Sequence, residues 1–327
     1  MYFNAIFPST STIWIAVLLL IIGIVFIIKG GDFFVDAAVW VAEVLKMPKF
    51  LIGATIVSIA TTLPEMIVSI IAVCGGNYAI SIGNAVGSVT ANTGLILAIS
   101  AIFVSGVIER RDFGVKSILI ILSTLIIFLF GLSGKFGILP SVVLLVILIY
   151  YMYETAVSAK RAVAMKETIE ATDNEEVDGK KVIANIVKFL IGAAGIVLGA
   201  DLLVENAKVV ASALGVSDGI IAITIVAIGT SLPELVTCVV AALKQQSDLA
   251  IGNIIGSSIF NVLFVLGITG VIQPMNFDTA FLFDGIIAIL AVVFLFLFTI
   301  RDKYLCRKQG FILVAFYIGY LAYLIIK

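Results

Sequence analysis

The chain runs to 327 residues, 62% of them hydrophobic and 13% charged, with a net charge of −1 and a mean hydropathy of +1.24. Soluble domains sit nearer half apolar and about a quarter charged, so the composition excludes an ordinary soluble protein and points to a membrane protein. The near-zero charge predicts no nucleic-acid partner; the absence of histidine removes the commonest transition-metal ligand; and three scattered cysteines, Cys74, Cys238 and Cys306, suggest neither a disulfide framework nor a zinc site.

A membrane helix needs about 20 mostly apolar residues. Ten such stretches are predicted, over 12–46, 50–74, 80–104, 113–132, 137–158, 182–215, 219–243, 249–272, 279–300 and 309–326. The N-terminal MYFNAIFPSTST carries no Lys or Arg and does not read as a cleaved signal peptide. The first and sixth stretches are too long for a perpendicular span. Each must tilt or leave the core through its charged half, Asp32, Asp36 and Glu43 in one and Asp201 and Glu205 in the other. Residues 159–181, AKRAVAMKETIEATDNEEVDGKK, are charged and mixed in sign, and are expected to form a solvated cytoplasmic linker. Their acids do not follow the EF-hand ligand pattern.

With the N-terminus outside, Lys46, Lys49, Arg110, Arg111, Lys116, Lys160, Arg161, Lys180, Lys181, Lys244, Arg301, Lys303 and Arg307 all fall inside, while Lys135 and Lys327 fall outside. The positive-inside rule therefore places a multi-pass protein in the cell (cytoplasmic) membrane with both termini extracellular.

The chain repeats itself. TIVSIATTLPE at 55–65 matches TIVAIGTSLPE at 224–234, and IGNAVGSVTAN at 82–92 matches IGNIIGSSIFN at 251–261. Both pairs are offset by 169 positions, as are Asp32 and Asp201, and Val35 and Val204. Five spans separate the two halves. An odd number makes the second half enter from the opposite side, which gives an inverted-topology repeat. The expected fold is all-α, ten transmembrane helices in two inverted five-helix repeats. The first repeat covers 1–158, the linker loop 159–181 and the second repeat 182–327.

Glu65 and Glu234 lie at equivalent positions inside apolar stretches. An isolated acid there costs about 2.5–3.5 kcal/mol on insertion scales, and no Lys or Arg in the motifs offsets it. Thr61 and Ser58 lie four and seven residues before Glu65, on one helical face; Thr230 and Ala227 repeat that spacing before Glu234. Thr62 and Ser231 add a second hydroxyl to each half. Pro64 and Pro233 precede the acids and are expected to kink each helix and free nearby carbonyls. In the second motif Ser88 and Asn92 share a face, as do Ser257 and Asn261, and Gly83, Gly87, Gly252 and Gly256 form a small-residue ridge. Hydroxyl, amide and carbonyl oxygens beside two carboxylates make a hard-ligand cage suited to sodium and calcium.

The paired segments GATIVSIATTLPE/ISIGNAVGSVTAN and AITIVAIGTSLPE/AIGNIIGSSIFN resemble the two alpha-repeats of the calcium/cation antiporter superfamily, in its prokaryotic sodium/calcium exchanger branch. The resemblance implies four ion sites between spans 2, 3, 7 and 8. Calcium would take the carboxylates of Glu65 and Glu234 and the carbonyls of Thr61 and Thr230. One sodium site would use the Ser58 carbonyl, Thr61, Thr62, Glu65 and Ser88. Its mirror would use the Ala227 carbonyl, Thr230, Ser231, Glu234 and Ser257, with Asn92 and Asn261 facing the middle. The long spans 1 and 6 would slide to open one side at a time. Ala60 departs from the glycine usual there and present at Gly229, so the half-sites are expected to differ. Thr62 keeps the hydroxyl of the usual serine. Asn261 stands where the potassium-dependent branch carries Asp, which argues against potassium co-transport.

The expected activity is sodium/calcium antiport by alternating access, with sodium and calcium ions and the lipid bilayer as partners, no obligatory protein partner and no cofactor. Proton/calcium antiport on the same scaffold is the alternative, because the same glutamates could take protons. An intramembrane hydrolase fits poorly with glutamates in antiparallel repeats and no histidine, and a passive channel fits poorly with discrete paired sites. No enzymatic activity is expected.

Overall fold

The computed structural model describes residues 13–103, 106–107, 110–169, 179–214, 229–277, 280–301 and 304–326. Helix α1 is Ile13–Val44. Helix α2 is assembled from Lys49–Ile52, a π-helical turn at Gly53–Val57 and Ser58–Cys74. Helix α3 follows the same plan, with Tyr78–Ala91, a π-turn at Asn92–Ile96 and Leu97–Phe103. Then come α4 (Arg110–Gly131), α5 (Ile138–Ile169), α6 (Gly179–Ala213) and α7 (Leu232–Leu243). Helix α8 joins Ser247–Ile259, a π-turn at Phe260–Val265 and Leu266–Ile272, and α9 (Ala280–Arg301) and α10 (Arg307–Ile326) complete the order. Among the described residues, α1 to α6, α8 and α9 are long and apolar enough to cross a membrane. Helix α7 is the described part of the seventh predicted span, and α10 runs for 20 residues.

The helices divide by composition. Helices α3 and α8, rich in Gly, Ala, Ser and Asn, are 78% and 83% buried over their spans, whereas α1 and α6, rich in Ile, Leu and Val, are 22% and 17% buried. Small residues let backbones approach at the centre, and branched aliphatics such as Ile21, Val25, Leu190 and Ile191 are left on the outer surface, where lipid solvates them.

The 169-residue offset extends through the whole structure. Short strands β1 (Gly106–Val107), β2 (Lys135–Phe136), β3 (Met275–Asn276) and β4 (Tyr304–Leu305) pair as β1–β4 and β2–β3. Gly106 opposes Leu305 in one ribbon, and their equivalents Met275 and Phe136 oppose each other in the other. Each ribbon thus joins one repeat to the other, and the twofold exchanges the two ribbons. Helices α1 and α6 obey the same rule. A Cβ on Gly23 would lie 2.9 Å from the Gly199 carbonyl oxygen, and one on Gly30 would lie 2.9 Å from that of Gly192. These four positions are two repeat-related pairs, and only glycine permits the contact.

Three sequence expectations change. The segment read as a linker is helical at both ends: α5 continues to Ile169 and α6 begins at Gly179. AKRAVAMKETI consists mostly of strong helix formers, so a charged surface does not end the helix. Residues 170–178 lie outside the described set. Lys116, counted above among the charges on the inner side, is fully buried in α4, 3.6 Å from Glu154 of α5 and over the Phe50 ring. The prolines also act differently from one another. Helix α2 runs unbroken through Pro64, and its irregularity is the π-turn before Ser58. Helix α7 starts afresh at Leu232 with Pro233 in its first turn, where a missing N–H costs nothing, so Thr230 and Ser231 lie in a turn rather than on the helical face of Glu234.

The twofold is broken at the outer helices. Helix α1 lies on α7, where a Cβ on Gly31 would meet Val240 at 2.9 Å and Val236 at 3.1 Å. The equivalents of those valines on α2, Ile67 and Ile71, are exposed.

Candidate cation-binding site

Helix α2 carries Ser58, Thr61, Thr62 and Glu65, and α3 carries Ser88 and Asn92; all six are buried. The turn before α7 carries Thr230 and Ser231, the first turn of α7 carries Glu234, and α8 carries Ser257 and Asn261. Ser231, Glu234, Ser257 and Asn261 are buried and Thr230 is half-buried. Ala227 lies outside the described residues.

Glu65 and Glu234 are both at 0% exposure and close enough to act on each other electrostatically. Thr61 and Ser257, one from each repeat, flank Glu234. Neither carboxylate has a hydrogen-bond partner on either oxygen, and the hydroxyls of Thr62 and Ser231 and the side-chain amides of Asn92 and Asn261 are likewise buried without one. Buried polar groups in proteins are almost always satisfied. Two carboxylates, two hydroxyls and two side-chain amides are thus left without partners on α2, on α3, at the start of α7 and on α8, and only a cation, or a proton, neutralises the charge of the acidic pair. Among the described residues no three of His, Cys, Asp and Glu come together, so the cage rests on neutral oxygens around one acidic pair.

Backbone packing places these side chains. Gly252 and Gly256 of α8 bring that helix against the π-turn of α2: a Cβ on Gly252 would strike the Phe50 carbonyl, and one on Gly256 would strike the Ser58 hydroxyl. The π-turn releases carbonyls from the regular ladder, and side chains take them up. Ser58 Oγ donates to Gly53 O at 2.6 Å and approaches Asn253 O at 3.0 Å, and the Tyr151 hydroxyl of α5 donates to the Ala54 carbonyl. π-Turns recur at functional sites, and those described here sit beside the cage residues, one holding Asn92 and another Asn261.

The two half-sites are bonded differently. Thr61 Oγ1 lies 3.1 Å from Ser257 Oγ and 3.2 Å from Asn253 Oδ1. In the other half Asn84, equivalent to Asn253, donates to the Glu65 carbonyl at 3.2 Å and to Ser69 Oγ at 3.0 Å. Among the described residues no hydrogen bond joins Asn84 to Thr230 or Ser88. The expected difference between halves is therefore present, and Gly229 has its own reason: a Cβ there would lie 2.6 Å from Val204 of α6. Asn253 and Tyr151 were not among the expected site residues. Asn253 is part of the repeated GNxxGSxxxN motif, which marks it as polar and repeated without assigning it a ligand role.

Inverted repeats that each bring one acid to a buried pair define a polytopic membrane transporter of the inverted-repeat class. The chain belongs to the sodium/calcium exchanger protein family, whose model matches residues 15–156 and 184–326, one stretch per repeat. It is 30% identical to the sodium/calcium exchanger MaX1 of Methanosarcina acetivorans, over 94% of this chain and 97% of that one. It is 32% identical to the membrane protein MJ0091 of Methanocaldococcus jannaschii, over 91% and 94%. Its fold superposes on the sodium–calcium exchanger NCX_Mj soaked with sodium at a TM-score of 0.82, with 30% identity over 95% of this chain and 99% of that one.

Proposed function

We propose that the chain exchanges sodium for calcium across the cell membrane by alternating access at the Glu65–Glu234 cage. The observation that carries this reading is the pair of fully buried carboxylates, one from each repeat, with all four oxygens free of protein partners. Two negative charges match one calcium ion. In the proposed assignment, calcium takes both carboxylates and the carbonyls of Thr61 and Thr230. Sodium takes the flanking sets, Ser58, Thr61, Thr62, Glu65 and Ser88 in one half and Ala227, Thr230, Ser231, Glu234 and Ser257 in the other. Asn92 and Asn261 face the middle. Because both ions draw on the same carboxylates, full loading with both cannot coexist. Bare carboxylates would have to cross a dry barrier, which penalises switching of the empty protein and couples the two fluxes. No cofactor and no covalent chemistry are needed.

The asymmetric seating of α1 supports access from one side at a time. With both termini outside, as the Lys and Arg distribution favours, the end of α7 covered by α1 is the cytoplasmic one, and the uncovered Ile67 and Ile71 mark the extracellular one. The deciding experiment is calcium uptake into proteoliposomes with sodium, potassium and pH gradients imposed separately. Uptake driven by sodium alone is expected. Uptake driven by a pH gradient and indifferent to sodium would overturn the sodium assignment in favour of proton/calcium exchange.

A further inference from the structure

Asn253 touches three of the cage's side chains and belongs to none of the ion sites assigned above. It is fully buried on α8. Its Oδ1 lies 3.2 Å from Thr61 Oγ1 and 3.4 Å from Ser257 Oγ, and its backbone oxygen lies 3.0 Å from Ser58 Oγ. On its far side Nδ2 reaches Cys238 Sγ at 3.6 Å, and that sulfur sits 3.4 Å from the Ala250 carbonyl. The chain of donors has one direction. The Ala250 oxygen is acceptor only, so the thiol proton goes there. The sulfur is then left to accept from the Asn253 amide, which turns Oδ1 towards the two hydroxyls.

A hydroxyl that binds a cation offers its lone pair to the ion and must aim its proton away. Around Thr61 the acceptors outside the carboxylates are Asn253 Oδ1, the Ser58 carbonyl, at 3.3 Å, and Ser257 Oγ, at 3.1 Å, whose lone pair the proposed assignment likewise gives to sodium. In the proposed assignment the Ser58 carbonyl is taken by sodium, which leaves Asn253. Ser257 has the same outlet. With two lone pairs, Oδ1 accommodates both protons. Without it, both hydroxyls would donate to Glu234 beside them and turn their protons into the cage.

We propose that Asn253 is a positioning residue which, from outside the cage, receives the hydroxyl protons of Thr61 and Ser257 and so sets sodium affinity without touching the ion. The inference rests on the reading of the site as a sodium and calcium cage. Outer partners of this kind commonly change ion affinity by about 10- to 100-fold. Calcium, held chiefly by the carboxylates, should depend on Asn253 much less.

The test is thermal stabilisation of the purified full-length protein in lipid–detergent micelles, titrated separately with sodium and with calcium. Asn253→Leu, close in size but without an acceptor, is expected to raise the sodium concentration for half-maximal stabilisation about tenfold and that for calcium less than about threefold. Asn253→Asp, which keeps the acceptor, is expected to bind sodium at least as well as the wild type. Equal weakening for both ions, or no change for either, overturns the proposal. If Asn253→Leu does not yield folded protein, Cys238→Val reads the chain one link out, and an unchanged sodium midpoint there overturns it. A wild-type protein stabilised by neither ion sinks the cage itself. One that is stabilised by both, while Asn253→Leu matches it, sinks only this inference.

Discussion

The ammonium of Lys244 sits 2.7 Å from the carboxylate of Asp36, tying the end of α7 to α1. The same nitrogen lies 3.2 Å from Asp32. The repeat-equivalent of Lys244 is Gly75, and Glu205, the equivalent of Asp36, instead pairs at 2.6 Å with Lys208 on its own helix. This tie therefore exists in one half only, the half in which α1 covers Val236 and Val240. Being partly exposed, it should contribute no more than about 1 kcal/mol to stability. Lys244→Ala is expected to leave the melting temperature nearly unchanged but to loosen α1 from α7. A cysteine at position 236, with Cys74 and Cys306 replaced by serine, should then react several-fold faster with a water-soluble thiol reagent applied from the Lys244 side. An unchanged rate would mean that the ion pair does not hold the helices together.

Neutralising either acid separates transport from folding. Glu65→Gln and Glu234→Gln keep the volume and remove a buried charge that no protein group compensates, so neither should destabilise the protein in sodium- and calcium-free buffer. Both should abolish calcium flux in proteoliposomes, because calcium would lose one of its two charged ligands. A variant that melts as the wild type does and still exchanges calcium would remove that acid from the transport cycle.

Much of this was legible in the sequence, and the reason is the repeat. The 169-residue offset that relates Glu65 to Glu234 also relates Gly23 to Gly192 and Gly106 to Met275, so one alignment of the chain with itself predicted the symmetry of the helices. What the sequence did not show were departures from that symmetry. Pro64 and Pro233 read alike, yet one is absorbed within α2 and the other opens α7. Proline chemistry fixes only a lost donor and a crowded carbonyl, and these are compatible with either outcome. Lys116 and Glu154 stand 38 positions apart with no pattern to join them, and only the packing of α4 on α5 does so. The π-turns carry no sequence signature of their own.

The π-turn of α2 depends on groups that occupy its released carbonyls. Tyr151 is fully buried, and its hydroxyl serves the Ala54 carbonyl. Tyr151→Phe keeps the ring against Phe260 and removes only that donor. Leaving a buried carbonyl unsatisfied costs about 1–3 kcal/mol, so a clear drop in melting temperature is expected. A melting temperature equal to that of the wild type would show that the turn does not need the Tyr151 hydroxyl.

The approach of α8 to α2 should tolerate no side chain. A Cβ on Gly252 would run into the backbone carbonyl of Phe50, which no rotamer change relieves. Gly252→Ala must push the helices apart at the level of Asn253 and Ser58, at a cost of roughly 1–3 kcal/mol or more. Gly319 on α10 is the internal control: it is exposed, and an added Cβ meets nothing within 4 Å. Gly319→Ala should be neutral or slightly stabilising, since alanine is the better helix former. Melting curves of the two variants decide it, and equal behaviour would mean that the α2–α8 contact is looser than its geometry.

The two residues proposed to face the middle of the cage offer the last test. Asn92 and Asn261 are fully buried, related by the repeat, and have no hydrogen-bond partner on either amide atom. An amide there presents an oxygen to a cation without adding charge. On the proposed assignment, Asn261→Asp would add a third carboxylate to the site of Glu65 and Glu234, so that it carries more negative charge than calcium alone offsets. Bound protons, or an additional monovalent ion, would have to make up the difference. The variant should therefore fold but change its ion preference, with calcium flux becoming sensitive to pH or to added potassium. The sign follows from the charge: lowering the pH protonates the extra acid and should bring the selectivity back towards that of the wild type. Flux measured against sodium, potassium and pH gradients reads this directly. Selectivity identical to that of the wild type at every pH would place Asn261 outside the path of the ions.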